Sequence, residues 1–323
     1  MGKIAGIEFP PQQVAATRFA PSPNGRLHLG HAFSAMCAHD FARAFGGKFL
    51  LRIEDIDGTR SRAEHIDAIL EDMEWLGLRH DGEVVFQSQR VPAYRAALER
   101  LQAAGLVYRC WCTRSEIAEA LKRQPVRHGP DGPVYPGTCK GRSKGQGDFC
   151  WRLDMEQALA FPLPPAGGGR GGPELVPNPD WPSPGPSRKQ EGGALQWTDL
   201  AADRQTANPA LFGDIVLWRK DAPASYHLAA TLDDAADGIS HVVRGMDLFA
   251  YTAIHRLLQK LLGLPEPIYW HHPLLLDEKG DKLAKSRLSE PLSQLRASGL
   301  SGIELVEQLR QGQLPLGIGV STA

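Results

Sequence analysis

Two short apolar runs, residues 17–20 (Thr-Arg-Phe-Ala) and 48–53 (Lys-Phe-Leu-Leu-Arg-Ile), flank one helical pattern. In that pattern Leu29, Phe33, Met36, Phe41 and Ala44 form an apolar face that ends at Gly46-Gly47, which predicts a helix over 31–45. Strand, helix and strand in this order force a parallel pair joined by a right-handed crossover. Ligands of such sheets gather beyond the carboxyl ends of the strands. Those ends carry the turn at 22–31, with Pro23 and Gly25, and the cluster Glu54-Asp55-Ile56-Asp57. The first element of function is therefore positional: polar groups are collected where the sheet opens.

The turn leads into His28-Leu29-Gly30-His31. A helix N-terminus presents free backbone N–H groups and a positive dipole end, which attract anions. Two histidines three apart stand on one face of that first turn, and Gly30 between them allows close approach of a nucleotide to the backbone. Far along the chain, Lys282-Leu283-Ala284-Lys285-Ser286 places two lysines in a Gly-bearing loop. Lysine there acts as a mobile point charge on phosphates. Taken singly, each stretch has a plainer reading, a chance string and a solvated loop.

Charge is balanced, with 36 basic and 37 acidic residues, so any nucleic-acid face has to be local. Residues 110–152 hold eight Lys and Arg against four acids, which suits phosphate contacts and equally a solvated face. Five cysteines (Cys37, Cys110, Cys112, Cys139 and Cys150) and no signal peptide argue against a secreted disulfide framework. No apolar run approaches the ~20 residues a membrane helix needs. The expected placement is cytoplasmic, with no membrane partner and a monomeric state.

In chain order, residues 1–16 show no pattern and read as a loose terminus. An apolar helical pattern is expected from Ile66 to Leu76, ending at Gly77, with further helices at 92–104 and 115–123. A strand is expected at 213–219, residues 226–232 and 240–245 bring the chain back to the site, and a strongly apolar helix at 249–262 precedes a strand at 268–276. The Gly/Pro-rich stretch 166–193, whose one aromatic residue is Trp181, reads as a mobile surface loop. After the lysine loop one helix is expected, at 302–311.

The stretch Arg18-Phe19-Ala20-Pro21-Ser22-Pro23-Asn24-Gly25, the His28-Leu29-Gly30-His31 motif, Arg52-Ile53-Glu54-Asp55-Ile56-Asp57, His241-Val242-Val243-Arg244-Gly245 and the lysine loop together resemble the class I glutamyl-tRNA synthetases. The resemblance runs from about residue 17 to 286. It implies an α/β, Rossmann-like catalytic domain with a parallel sheet, split into halves at 1–108 and 213–286. A zinc-binding, acceptor-type insertion would occupy 109–212 and a short helical tail 287–323, with no anticodon-binding domain. Only 37 residues follow Ser286, so the expectation narrows to the truncated branch of that family, the glutamyl-queuosine tRNA(Asp) synthetases. These ligases activate glutamate with ATP without needing tRNA, and transfer it to queuosine at the wobble position of tRNA(Asp).

For that chemistry the resemblance implies His28, Gly30, His31 and Lys285 on ATP, with Lys282 beside Lys285 on the leaving pyrophosphate and Mg²⁺ accompanying the nucleotide. The implied glutamate pocket is Arg18, Ser22, Glu54, Tyr226 and Arg244. Guanidinium groups read carboxylate bidentately, and Glu54 suits the ammonium. Tyr226 could equally be a satisfied core tyrosine, and Arg52, Asp55 and Asp57 an ion-pair network, the preferred reading for Arg52. Ala230 stands where discriminating synthetases usually place asparagine, and the lysine loop departs from the usual KMSKS form while keeping both lysines. Cys110, Cys112, Tyr135 and Cys139 resemble the family's structural zinc site; buried thiols are the alternative. The partners implied are glutamate, ATP and the queuosine-containing anticodon stem-loop. Other readings are a minimal glutamyl-tRNA synthetase charging a tRNA 3′ end, an HxGH nucleotidyltransferase acting on a small molecule, and a non-catalytic tRNA-binding paralogue.

Overall fold

The structure is a computed structural model that describes residues 2–123, 125–161, 194–283, 290–315 and 317–321. The Gly/Pro-rich stretch 166–193 and Lys285 lie outside the described residues. The chain opens with a hairpin, β1 (Gly2–Ile4) and β2 (Ile7–Phe9), turning through Ala5 and Gly6 at positive φ. The expected loose terminus is thus corrected. Ile4 and Phe9 are buried, and the Phe9 ring packs edge-on against Trp270 (4.7 Å) and Phe41 (5.4 Å). Two three-residue strands are too short to show a period, but two anchors on one face suffice to dock them.

Strand β3 (Ala16–Phe19), helix α1 (Leu29–Ala44) and strand β4 (Lys48–Ile53) form the βαβ unit, in parallel register from Ala16 against Lys48 to Phe19 against Leu51. α1 stops where Gly46 takes φ of 71° and the Gly47 N–H donates to the Ala42 carbonyl at 2.9 Å, as a left-handed glycine stop should. Next come α2 (Ala63–Trp75), β5 (Val85–Phe86), parallel to β4, and α3 (Val91–Ala103).

The middle of the chain supplies β6 (Val107–Cys110), α4 (Arg114–Leu121), the hairpin β7 (His128–Gly129) and β8 (Gly132–Pro133), β9 (Cys150–Leu153), α5 (Met155–Ala160), β10 (Gln196–Asp199), β11 (Asp203–Thr206) and β12 (Val216–Trp218). β6, β9 and β12 pair antiparallel as a small separate sheet. β10 instead joins the main sheet, parallel to a later strand, so the chain is back on that sheet ahead of the expected boundary at 212.

α6 (Tyr226–Ala236), β13 (His241–Gly245), α7 (Thr252–Leu262) and β14 (Ile268–His272) complete the second half, with β13 and β14 parallel. The single strand expected at 268–276 is broken at Pro273, which has no N–H for a ladder, and β15 (Leu275–Leu276) is separate. Beyond the lysine loop lie α8 (Leu292–Ala297), α9 (Gly302–Arg310) and β16 (Gly319–Val320), which pairs with β15. α8 and β16 correct the expectation of one helix there; both are too short to carry a periodic signal. The Leu292 N–H donates to the Leu27 carbonyl at 2.8 Å, tying α8 to the turn before α1.

The strands bury both faces. Phe49, Leu51, Ile53, Val243 and Trp270 face a cluster with α1, α2 and α9, while Val242 and Tyr269 face another with α3, α6 and α7. Alternation between two cores is the signature of a doubly covered sheet. β3 and β13 meet at its centre, where the Ser240 N–H donates to the Ala16 carbonyl at 3.1 Å. The spatial order β5-β4-β3 then β13-β14 makes this junction the point where strand order reverses, the place where open α/β sheets bind ligands.

Candidate active site

A cavity of about 430 Å³ opens at the junction of β3 and β13. It brings together Arg18, Ser22, His28, Gly30, His31, Glu54, Tyr226, Arg244 and Lys282 from stretches spread over most of the chain. His272, Asp247 and Tyr251 also line it.

His28 is the N-cap of α1. Its Nδ1 accepts from the Gly30 N–H at 3.1 Å, and Nδ1 of His31 accepts from the His28 N–H at 3.2 Å. The two imidazoles thus perform the reciprocal capping usually done by Ser or Thr with Glu. A ring nitrogen that accepts from a backbone amide carries no proton, so both rings hold their proton on Nε2. Burial, reinforced by Lys282, lowers His28 to about 4; burial, His28 and Lys282 lower His31 to about 3. Both are neutral at pH 7, with Nε2–H groups available as donors to phosphate oxygens.

Three arginines project from β3, β4 and β13, of which Arg18 and Arg244 line the cavity. Arg18 is gripped by Asp234 of α6 through Nε (2.9 Å) and a second nitrogen (3.3 Å), and also donates to the Val243 carbonyl. Arg52 is fully buried and pairs with Asp234 (2.7 Å) and Asp237 (3.0 Å), with Asp233 at 3.8 Å. Arg90 closes the network on Asp233 and Asp237. Burial opposes ionisation of Asp234, but Arg18 and Arg52 hold its pKa below the usual range. Asp55 accepts from Ser88, and Asp57 pairs with Arg60 and Arg219; these residues fix loops.

Arg244 is different. It is buried, yet among the described residues it meets no carboxylate within ion-pair distance. Glu54 is its anionic counterpart: Ser22 Oγ donates to it at 3.4 Å, Arg52 stands at 4.0 Å, and burial pushes its pKa up to about 7. The Tyr226 hydroxyl has no hydrogen-bond partner among the described residues, and its ring packs on His227 and His255. Lys282 is ion-paired with Asp247 at the cavity mouth. Ala230 is buried in α6 and does not line the cavity.

The sequence reading missed the acidic partners on α6. Their signal was present: Asp233 and Asp234 interrupt a largely apolar helix and Asp237 follows at its C-cap, and buried acids demand cations. Asp199, Asp247, His255, His271 and His272 carried no such local mark.

A second cluster lies on the small antiparallel sheet. The Sγ atoms of Cys110, Cys112 and Cys139 all lie within 4.8 Å of one another, with Cys112 and Cys139 at 3.4 Å. The Tyr135 oxygen is 3.3 Å from Cys110 Sγ and 3.6 Å from Cys112 Sγ. All five cysteines are free. Three thiols this close together, with a phenol oxygen beside two of them, form a donor set that could hold one ion. Hydrogen bonds from Cys150, Tyr135 and Arg152 pull the Cys110 thiol far down towards thiolate, whereas burial pushes Cys112 up to about 11. Cys150, opposite Cys110 in the ladder, and Cys37, inside α1, are buried.

The chain matches the model of the catalytic domain of class I tRNA synthetases (E and Q) over residues 14–144 and 188–314. It belongs to that family. A Glutamyl-Q tRNA(Asp) synthetase of Rhodobacter capsulatus is 45% identical over 296 residues, covering 90% of this chain and 97% of the relative. Proteins of the same name from Burkholderia cenocepacia and Symbiobacterium thermophilum are 40% and 38% identical, covering 87% and 90% of this chain and 85% and 84% of theirs. Among solved structures, a glutamate tRNA ligase from Elizabethkingia meningosepticum in complex with its amino acid superposes with a TM-score of 0.60 at 25% identity. The match covers 83% of this chain and 51% of the ligase, so this class I chain spans about half the length of that relative.

Proposed function

We propose that this class I enzyme activates glutamate with ATP and transfers the glutamyl group to queuosine at the wobble position of tRNA(Asp). The observation that carries the glutamate reading is the pairing, in one cavity, of a buried carboxylate with weak partners, Glu54, and a buried guanidinium with no acidic partner among the described residues, Arg244. An amino acid with a side-chain carboxylate supplies the missing ion to each. Glu54 receives the ammonium and Arg244 the side-chain carboxylate, while Arg18, Ser22 and Tyr226 border the space between. The tRNA and its modified base are supported by the relatives' names.

In the first step an α-carboxylate oxygen of glutamate attacks the α-phosphorus of ATP, and pyrophosphate leaves. The Nε2–H groups of His28 and His31 donate to phosphate oxygens on which charge develops, and Lys282 and Lys285 neutralise the leaving group. In the second step a hydroxyl of the queuosine cis-diol attacks the adenylate carbonyl and AMP leaves. Cys110, Cys112, Cys139 and Tyr135 would hold a structural zinc ion, which would pin the β6–β9 sheet. Among the described residues no helix is long and apolar enough to cross a membrane; we place the reaction in the cytoplasm, on a monomer.

Transfer of labelled glutamate to tRNA(Asp) with and without queuosine, followed by nuclease mapping, tests this reading. Label in the anticodon loop that requires queuosine supports it. Label at the 3′ end of a tRNA would make the enzyme a short aminoacyl-tRNA synthetase instead.

A further inference from the structure

Among the described residues, every contact that holds Arg244 comes from a group without acidic charge. Its Nε–H donates to Nε2 of His271 at 3.0 Å and a second N–H faces Nδ1 of His255 at 3.1 Å. The remaining nitrogen donates to Thr252 Oγ1 at 2.7 Å and to the Leu248 carbonyl at 3.2 Å, and the Tyr269 ring lies 5.4 Å away. Guanidinium has donors only, so each contact fixes the role of its partner. Nε2 of His271 is a lone pair, and its proton is on Nδ1, where Oδ2 of Asp199 accepts at 2.7 Å. Nδ1 of His255 is likewise a lone pair, which leaves Nε2–H directed at Nδ1 of His227, 3.3 Å away. Asp199 is itself anchored by the backbone N–H groups of Ala201, Ala202 and His271. His255, His271 and Asp199 are all buried.

Arg18 provides the contrast. It reaches the same cavity, but Asp234 neutralises it through two hydrogen bonds. A buried cation without a counter-ion costs stability, and such groups cluster at sites that use them. Holding Arg244 by neutral acceptors fixes its plane while leaving its charge to whatever enters. Protonating either imidazole would set an N–H against an N–H. Burial and then Arg244 keep His255 far below its ordinary range, and burial is the main reason that His271 falls to about 4 despite Asp199.

We propose that His255 and His271, the latter set by Asp199, are positioning residues that present Arg244 as an un-neutralised cation and so determine the preference for a side-chain carboxylate over an amide. This rests on reading the cavity as a glutamate site. Asparagine places its oxygen where Nδ1 of histidine stands, so His255→Asn keeps the acceptor, whereas His255→Leu removes it. In ATP–pyrophosphate exchange, His255→Leu is expected to raise the KM for glutamate about tenfold or more, the scale of one hydrogen bond to a charged group. It should alter kcat little and narrow the glutamate-to-glutamine ratio of kcat/KM; His255→Asn should restore both. Equal defects in the Leu and Asn variants, or an unchanged ratio in His255→Leu, would overturn the proposal. Nitrogen-15 spectra of the histidines at pH 6 judge the geometry without reference to activity. Neutral rings with the proton on Nδ1 of His271 and Nε2 of His255 support it, and an imidazolium or the opposite tautomer at either residue overturns it. If the wild-type enzyme exchanges without responding to glutamate, the glutamate reading itself fails, and the spectra still decide how Arg244 is held.

Discussion

Gly30 makes room for the ring of His28: a Cβ at position 30 would stand 2.9 Å from Cε1 and 3.1 Å from Nδ1 of that imidazole. Both atoms belong to a ring held at a helix cap, so it cannot swing away without breaking the bond from the Gly30 N–H. Gly30→Ala is therefore expected to lower ATP–pyrophosphate exchange about a hundredfold, the scale of losing one preorganised donor, and to lower the melting temperature only by the smaller amount that losing one helix cap costs. Unchanged exchange would show that the ring position is immaterial.

The proposed role of Glu54 would link pH to amino-acid binding. Its carboxyl, raised to about 7 by burial, is largely protonated at pH 6 in the empty site and cannot then hold an ammonium. The KM for glutamate should rise as pH falls below 7, and a flat profile from pH 6 to 8 would contradict the ammonium role. Stability runs the other way. A folded pKa above the unfolded value of 4.5 means that the native state binds the extra proton, so its stabilising contribution is present below pH 4.5 and is lost as pH rises through 7. The loss reaches up to about 3 kcal/mol. Glu54→Gln should then raise the melting temperature at pH 8 while abolishing tight glutamate binding.

Asp234 serves two arginines at once, Arg18 and Arg52. Asp234→Ala leaves both partly unpaired in the interior, which costs about 3–5 kcal/mol. We expect a sharp fall in the chemical-denaturation midpoint, larger than for Asp57→Ala, whose partners Arg60 and Arg219 are partly exposed. A smaller effect at Asp234 than at Asp57 would show that the buried network is not what holds β3 and β4 to α6.

The sulfur cluster offers a test of ligand identity. Cys139→Ser and Tyr135→Phe should each lower zinc content and melting temperature, while Cys150→Ser should keep about one ion per chain. Retention of zinc in Tyr135→Phe together with its loss in Cys150→Ser would move the fourth ligand across the ladder from Cys110.

The parallel βαβ unit could be read from the sequence because the helix and strand patterns are each long enough to repeat, and because Gly46-Gly47 marks the stop between them. The HxGH turn could be read because two histidines stand three apart where a turn enters a helical pattern, whereas Arg244 could be read only through the resemblance to the class I glutamyl-tRNA synthetases. What escaped was of two kinds. Short elements such as the β1–β2 hairpin, α8 and β16 have no period to detect. Partners such as Asp199 and His271, which the fold brings to hydrogen-bonding distance, are far apart in sequence and individually unremarkable. The acids of α6 lay between these cases, since buried carboxylates on an apolar helix announce a need for cations without saying which.

The hydrogen bond from Leu292 to Leu27 also joins segments that are made far apart in time during synthesis. A growing chain makes β3, α1 and β4 early, so His28 and His31 exist while Arg244, Lys282 and the segment that pins Leu27 are still untranslated. Long-range contacts of this kind close late. On the proposed reading of the cavity, the nascent chain would hold the first turn of the nucleotide site well before the cavity that completes it has formed.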